Sequence, residues 1–169
     1  MLSFDIRSLD ARAATVDGQL APDDPIWQEG DTRPAGPIDV TGRISSAGAG
    51  RYYWSGRVAG DLELACRRCL EPVRVEVDEP AHALFADEAD DEADDPDIYR
   101  ISSHSHSVDL RPAVREQWLL VAPAFAVCRE DCKGLCPTCG ADLNAGQCAC
   151  EPATDTRWDA LRASRPSRS

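Results

Sequence analysis

The 169-residue sequence predicts an α+β fold, in which an antiparallel sheet or a partly closed β-barrel is packed by one main helix and followed by a C-terminal cysteine-rich knuckle. Three observations predict it. Residues 38–85 alternate apolar and polar side chains, a later stretch repeats apolar residues at helical spacing, and six of the eight cysteines fall within 128–150. The chain therefore divides into a β-rich core with its packing helix (1–127), the knuckle (128–152), and a short helix with a frayed tail (153–169).

Near the N-terminus, the sequence predicts one short strand and then a long connection. Leu2, Phe4 and Ile6 alternate with polar residues, which is typical of a strand. Residues 10–37 contain four prolines and little periodicity, which indicates a connection along the surface. We expect Trp27 to anchor that connection in the core, because large aromatic side chains are mostly buried.

The centre of the sequence predicts strands joined by tight turns. A strand begins at Ile38, and the Ala-Gly-Ala-Gly stretch at 47–50 predicts a turn after it. Residues 51–59 are rich in aromatic residues that favour strands. Gly60 and the aspartate after it predict a second turn, so that a separate strand follows.

The first cysteine pair stands between two alternating runs. Residues 62–66 and 73–77 each alternate apolar and polar side chains. Cys66-Arg-Arg-Cys69-Leu-Glu-Pro72 separates them and is too short for anything but a turn. The sequence therefore predicts that this pair lies at the tip of a hairpin.

An acidic block follows the last of these strands. Eight of the 11 residues in 87–97 are Asp or Glu, and like charges at this density predict a solvated loop. A docking strip for a basic protein is the alternative interpretation. Residues 98–101 predict one more strand.

Residues 109–122 predict the main helix. Asp109 suits the N-cap position, Pro112 is tolerated in the first turn, and Pro123 ends the helix. We expect the face that the helix packs against the sheet to consist of Leu110, Val114, Trp118 and Val121. A second, short helix is predicted around Arg157 to Ala163.

Charge and apolar patterning limit the classes of function. The net charge is −12, so a non-specific grip on nucleic acid through bulk charge is not expected, and basic partners suit the sign better. The N-terminus lacks the apolar core of a secretory signal, and the apolar run from Trp118 to Cys128 is too short to span a bilayer. We therefore expect a cytoplasmic protein whose thiols stay reduced.

The eight cysteines form four tight pairs: Cys66-x-x-Cys69, Cys128-x-x-x-Cys132, Cys136-x-x-Cys139 and Cys148-x-Cys150. Each pair can hold one ion from two sides, and eight thiolates suffice for two tetrahedral zinc sites. Disulfides are the rival interpretation, which the expected compartment disfavours. Four thiolates fill the coordination shell, so we expect structural rather than catalytic zinc, and no catalytic residue is predicted.

Spacing favours one grouping of the cysteines. Cys148 and Cys150 follow Cys139 closely enough to close on the same ion at low entropic cost, and Gly140 suits a positive φ after the second ligand. That leaves Cys66, Cys69, Cys128 and Cys132 for the other ion. Pairing the first cysteine pair with Cys136 and Cys139 remains an alternative, as does one empty site.

Four basic residues lie beside Cys66, Cys69, Cys128 and Cys132. They are Arg67, Arg68, Arg129 and Lys133. If their cysteines share one zinc, these side chains converge into a local basic patch on an acidic protein. We hypothesise that this patch contacts RNA phosphates or a protein partner. Solvated charges without a partner are the alternative.

Several stretches occur in a recognisable order. They are Cys66-Arg-Arg-Cys69-Leu-Glu-Pro72, residues 108–123, Cys128-Arg-Glu-Asp-Cys132-Lys-Gly-Leu-Cys136-Pro-Thr-Cys139-Gly140, Leu143-Asn144, and Asp155-Thr-Arg157-Trp158. Together they resemble the YceD family of bacterial proteins over nearly the whole chain. The resemblance implies a role in accumulation or processing of 23S ribosomal RNA and in assembly of the large ribosomal subunit, and it implies no enzymatic activity.

We therefore predict a non-enzymatic ribosome biogenesis factor with one or two structural zinc ions. Its partner would be ribosomal RNA or a basic large-subunit protein. The alternative is a zinc-stabilised protein–protein adaptor that uses the acidic loop and the zinc tips outside the ribosome. An enzyme such as a nuclease ranks third.

Overall fold

Strands make up most of the fold. The computed structural model describes residues 1–48, 50–90, 95–151 and 157. Along the chain, the elements are β1 (Ser3–Asp5), α1 (Ile6–Ala11), β2 (Ala14–Leu20), β3 (Ile38–Gly48), β4 (Arg51–Ala65), β5 (Pro72–Asp87), β6 (Ile98–Ile101), β7 (Ser107–Asp109) and α2 (Arg111–Val121). This is the predicted α+β class, and none of the helices in the described residues is long and apolar enough to cross a membrane.

Five strands form the main sheet in the order β2-β3-β4-β5-β6. All neighbours are antiparallel except β5 and β6, which are parallel. The described strands form an open mixed sheet, so the predicted sheet is confirmed but does not close into a barrel. A separate two-stranded sheet pairs β1 with β7.

The core lies between the main sheet and α2. Ile38, Trp54 and Val58 from the sheet and Val114 and Trp118 from α2 have no solvent exposure. Burying large apolar side chains of this kind stabilises a fold by roughly 2 kcal/mol each. The predicted helix face is confirmed, with Leu110 also buried and Val121 partly buried.

The predicted turn at Gly60 is wrong, because β4 runs unbroken through it. Gly60 pairs with Val77 of β5, in the middle of the long β4–β5 hairpin. A Cβ atom at Gly60 would lie 3.3 Å from the indole ring of Trp118. The glycine therefore gives the ring of the packing helix room against the sheet instead of turning the chain.

A pair of glycines brings two strands unusually close. Gly42 of β3 pairs with Gly56 of β4. A Cβ atom on Gly56 would overlap the carbonyl oxygen of Thr41, and one on Gly42 would overlap the carbonyl oxygen of Ser55. No side chain fits at this crossing, so both positions require glycine.

The prediction of one long connection over 10–37 is wrong in its first part. Residues 14–20 form the edge strand β2, with Val16 and Leu20 buried on the core side. The short helix α1 before it was also missed; its N-cap is Asp5, whose side chain accepts a hydrogen bond from the backbone N–H of Ser8.

The rest of the connection is anchored in the core by Trp27, as predicted, and is also held against α2. Trp27 is only 5% exposed, and its Nε1–H donates to the carbonyl of Ala21 over 2.8 Å. The guanidinium of Arg115 donates two hydrogen bonds of 2.7 Å to the carboxylate of Asp31. These contacts hold the connection over the packing helix.

The ends of α2 differ slightly from the prediction. Asp109 is the last residue of β7, and Leu110 occupies the N-cap position, so the predicted cap lies one residue too early. The Asp109 carboxylate still accepts the backbone N–H of Arg111 over 3.0 Å. Pro112 lies in the first turn, and the helix ends at Val121, shortly before Pro123. The helix predicted around Arg157 to Ala163 and the frayed tail fall outside the described residues, apart from Arg157.

Candidate metal centres

The first cysteine pair lies in the tight tip that joins β4 to β5, as predicted. The backbone N–H of Cys66 donates to the carbonyl of Glu71 over 2.7 Å, and that of Leu70 donates to the carbonyl of Cys66 over 2.9 Å. Leu70 has a φ of 65°, a left-handed conformation that few residues with a side chain adopt. The N–H of Arg68 points at the sulfur of Cys66 over 3.5 Å, so the turn itself supplies a donor.

The pair Cys136 and Cys139 forms the same turn further along the chain. The N–H of Cys136 donates to the carbonyl of Ala141 over 2.8 Å, and that of Gly140 donates to the carbonyl of Cys136 over 2.9 Å. The N–H of Thr138 points at the sulfur of Cys136 over 3.4 Å. Gly140 has a φ of 72°, so the positive φ predicted there is confirmed.

Four cysteines meet at the hairpin tip. We call Cys66, Cys69, Cys128 and Cys132 the first centre; their sulfurs all lie within 4.8 Å of one another. The Cys66 and Cys132 sulfurs are 3.9 Å apart and those of Cys69 and Cys128 are 3.6 Å apart. A disulfide bond would need about 2.0 Å, whereas thiolates around one tetrahedral ion lie about 3.8 Å apart. The spacing therefore suits a shared metal ion.

The other four cysteines form a second cluster. We call Cys136, Cys139, Cys148 and Cys150 the second centre; their sulfurs also lie within 4.8 Å of one another. This is the grouping that spacing favoured, and the alternative that joins the first pair to Cys136 and Cys139 is not the one found. All eight cysteines carry free thiols.

The segment after α2 brings the later ligands to the tip. Ala126 forms an isolated bridge with Cys66, and its carbonyl accepts the N–H of Arg67 over 2.9 Å. The N–H of Cys128 then points at the Cys66 sulfur over 3.4 Å. The end of the packing helix is thus tied to the tip of the sheet at this centre.

Backbone donors favour the thiolate of the leading cysteine in each centre. The N–H groups of Cys69 and Cys128, in that order, lower the pKa of Cys66 to about 6, despite its burial. The N–H groups of Cys139 and Thr138 lower the pKa of Cys136 to about 6. Some neighbouring thiols shift in the opposite direction: hydrogen bonding to Cys139 raises the pKa of Cys150 to about 12. A bound cation would relieve this competition between neighbouring sulfurs.

Comparison with known proteins bears on the same part of the chain. A family model described as large ribosomal RNA subunit accumulation protein YceD matches residues 54–163. The chain belongs to the YceD family. The matched range begins in β4 and includes the hairpin tip and every cysteine of both centres.

Relatives of the chain occur in bacteria and in a plant. Uncharacterized proteins of Mycobacterium tuberculosis and Mycobacterium bovis are 35% identical over 127 residues, which is 73% of this chain and 60% of each relative. A Zea mays protein named as chloroplastic large ribosomal RNA subunit accumulation protein YCED homolog 1 is 28% identical over 179 residues, 88% of this chain and 59% of the relative. The chain thus spans about 60% of the length of these relatives, and no solved structure matches it.

The four basic residues singled out from the sequence all lie beside the first centre, but they are engaged differently. The Arg68 guanidinium donates to the carbonyls of Glu130 and Cys132, both over 2.9 Å, and so ties the tip to the loop that carries the later ligands. Arg129 forms an ion pair of 3.3 Å with Asp131. The Arg67 guanidinium lies 4.9 Å from the ring centre of Phe125. Lys133 is exposed.

Sequence reasoning missed the apolar residues around this centre. Leu70 is 64% exposed and Phe125 is 60% exposed, and Val127 is also exposed. A groove of about 600 Å³ runs between the start of β5 and the segment that carries Phe125. We call Arg67, Leu70, Phe125, Val127 and Lys133 the tip surface. The apolar run up to Cys128 was a signal for it, but periodicity cannot tell an exposed apolar segment from a buried one.

Proposed function

We propose that this protein is a non-enzymatic, cytoplasmic factor in biogenesis of the large ribosomal subunit, which promotes accumulation or processing of 23S ribosomal RNA. The observation that carries the proposal is the YceD family match, because it covers the hairpin tip and both centres. The name of the Zea mays relative points the same way.

We infer that both centres hold structural zinc. Four thiolates at tetrahedral spacing are the donor set of structural zinc sites, and they leave no open position for water or substrate. In the described residues, the two groups of clustered metal-ligating side chains consist of cysteine alone. The ions would supply cross-links between the hairpin tip, the end of α2 and the knuckle, and we assign them no catalytic step.

The tip surface is the contact that we assign to ribosomal RNA or to a basic large-subunit protein. Exposed aromatic and apolar side chains beside arginine are typical of binding surfaces, and the ring of Phe125 under Arg67 offers both stacking and charge. Arg68 and Arg129 are engaged within the protein, so Arg67 and Lys133 carry the charge that we assign to this contact.

Sedimentation of cell extracts tests the proposal directly. We expect the protein to co-migrate with large-subunit precursors, and its depletion to lower the ratio of 23S to 16S ribosomal RNA. Arg67→Ala combined with Lys133→Ala should release it from those fractions. Arg7→Ala combined with Arg12→Ala, two exposed arginines at α1, is the matched control. A protein found only in ribosome-free fractions, with unchanged 23S RNA on depletion, would favour the adaptor alternative.

A further inference from the structure

One side chain joins the two metal centres. Asn144 lies in the loop between Cys139 and Cys148, so it belongs to the second centre by sequence. Its Nδ2–H group nevertheless donates to the sulfur of Cys132 in the first centre, with a nitrogen–sulfur distance of 3.5 Å. The Oδ1 atom accepts the backbone N–H of Lys133 over 2.8 Å, and because an N–H can only donate, this contact fixes which end of the amide faces the sulfur.

The loop of the second centre holds Asn144 in this position. Oδ1 of Asp142 accepts both the backbone N–H of Asn144 (2.9 Å) and its Nδ2–H (2.7 Å). The N–H of Leu143 donates to the carbonyl of Gly134 over 2.9 Å, and Asp142 forms an isolated bridge with Leu135. This loop starts in the turn at Cys136 and ends at Cys148, so an ion bound between those cysteines would close it.

We propose that Asn144 couples the two centres, so that an ion in the second centre orders the loop that presents the amide donor to Cys132 and thereby slows metal loss from the first centre. This inference rests on the proposed zinc centres and describes how one regulates the other. Four thiolates around a divalent ion carry excess negative charge, which hydrogen bonds to sulfur stabilise. Loss of such an outer partner typically costs 10- to 100-fold in metal affinity.

Linkage makes the coupling reciprocal. If occupancy of the second centre strengthens the first, an ion in the first centre strengthens the second by the same factor. The two ions should therefore bind with positive cooperativity, although the hydrogen bond that joins the centres involves a single side chain and no shared ligand.

Metal release from the zinc-loaded full chain tests the coupling. The zinc content is counted first, and release to a chromophoric chelator is then followed in time, with the first-centre phase identified in the Cys148→Ser, Cys150→Ser variant. Asn144→Asp is nearly isosteric and retains an oxygen for Lys133, but it replaces the donor that faces sulfur with an acceptor. Gln147→Ala, an exposed position in the same loop, is the control.

We expect Asn144→Asp to accelerate release from the first centre about tenfold, and Gln147→Ala to leave it unchanged. The Cys148→Ser, Cys150→Ser variant should accelerate first-centre release by a similar factor, and adding Asn144→Asp to it should add little, because both changes remove the same contact. The coupling alone would be overturned if Asn144→Asp binds two zinc ions and releases them at the unchanged rate. It would also be overturned if the rate factors of the two changes multiply in the combined variant. A chain without zinc would overturn the zinc assignment as well.

A variant that disturbs the fold is recognised separately. Tryptophan fluorescence reports on four residues, three of which, Trp27, Trp54 and Trp118, are buried in the core rather than in the knuckle loop. If Asn144→Asp changes that signal, Asn144→Ala replaces it, since alanine removes the donor without adding charge beside the thiolates. Acceleration in Asn144→Ala would support the coupling, and normal first-centre release would overturn it.

Discussion

The two Cys-x-x-Cys turns share the same hydrogen bonds but stand in different surroundings. The turn of the first centre joins two long strands, and Cys66 is fully buried. The turn of the second centre lies in a knuckle, where Cys139 is exposed and Cys148 and Cys150 are half-buried. The residue at positive φ also differs, since Leu70 stands where the second turn has Gly140. The same turn backbone therefore forms with either leucine or glycine at that position. We expect its effect on stability to depend on the elements that it joins.

The first centre connects distant parts of the chain and the second connects near ones. An ion in the first centre would close a loop from residue 66 to residue 132, which includes all of β5, β6, β7 and α2, whereas the second closes only residues 136–150. Fixing the longer loop restricts the unfolded chain more, although the effect grows slowly with loop length. We therefore expect the first centre to support the whole fold and the second to support the knuckle and the first centre.

Loss of one cysteine ligand should show the largest difference between the two centres in their effect on the free energy of unfolding. We expect Cys66→Ser to lower the free energy of unfolding by about 3 kcal/mol or more, because it removes a ligand of the ion that we propose joins the tip of the sheet to the end of α2. Cys136→Ser should remove one zinc ion and change global unfolding by about 1 kcal/mol or less. Zinc content and urea unfolding followed by tryptophan fluorescence measure both, and equal losses would contradict the comparison.

The leading thiolate of each centre should become protonated at about the same pH. The pKa values of Cys66 and Cys136 are each lowered to about 6 from 9.0 in the folded chain. A lowered thiol pKa stabilises the fold fully above the unfolded value near 9, and that contribution is lost as the pH falls through about 6. The metal-free, reduced chain should therefore retain at least the thiolates of Cys66 and Cys136 at neutral pH, which ultraviolet thiolate absorbance detects. Thiolates that appear only near pH 9 would contradict the expectation.

The two neighbouring arginines of the first turn should separate folding from binding. Arg68→Ala should lower the free energy of unfolding by about 1 kcal/mol, because its charged hydrogen bonds to the Glu130 and Cys132 carbonyls are lost. Arg67→Ala should change stability by less than about 0.5 kcal/mol while weakening association with the ribosomal precursor. Chemical unfolding and sedimentation test the pair, and a reversed pattern would refute the division of roles.

The residue at positive φ should have a small effect on the stability of each turn. Leu70→Gly should stabilise the first turn by up to about 1 kcal/mol, since the left-handed conformation strains a residue with a side chain. Gly140→Ala should destabilise the second turn by a similar amount. Differential scanning calorimetry of the zinc-loaded chain measures both. If Leu70→Gly is more stable but binds the ribosomal precursor less well, the exposed leucine serves binding at the expense of stability.

The features that sequence predicted well are those set by local pattern. Alternation around the first cysteine pair predicted the hairpin tip, and short loops predicted which cysteines come together. Gly60 was misread because a glycine that makes room for Trp118 is indistinguishable in sequence from one that turns the chain. The edge strand β2 was missed because Gly18 interrupts its alternation between Val16 and Leu20.

The missed features of the site depend on contacts between distant residues. Arg68 was expected to face solvent, but its partners are backbone carbonyls more than 60 residues away, which no composition or spacing reveals. Asn144 stood in a recognisable motif without a role until its amide was seen to face Cys132. Exposure of Phe125 likewise follows from where the segment after α2 meets the tip.

Strand β5 gives the molecule a measurable reach. It begins at Pro72 beside the first centre and ends at Asp87, where the acidic block starts. Its 16 residues have a contour length of about 50 Å at roughly 3.3 Å per residue. The arginine-bearing tip and the acidic block therefore lie at opposite ends of one continuous strand. A small ligand can contact only one of these ends at a time, whereas a particle as large as a ribosomal precursor could contact both.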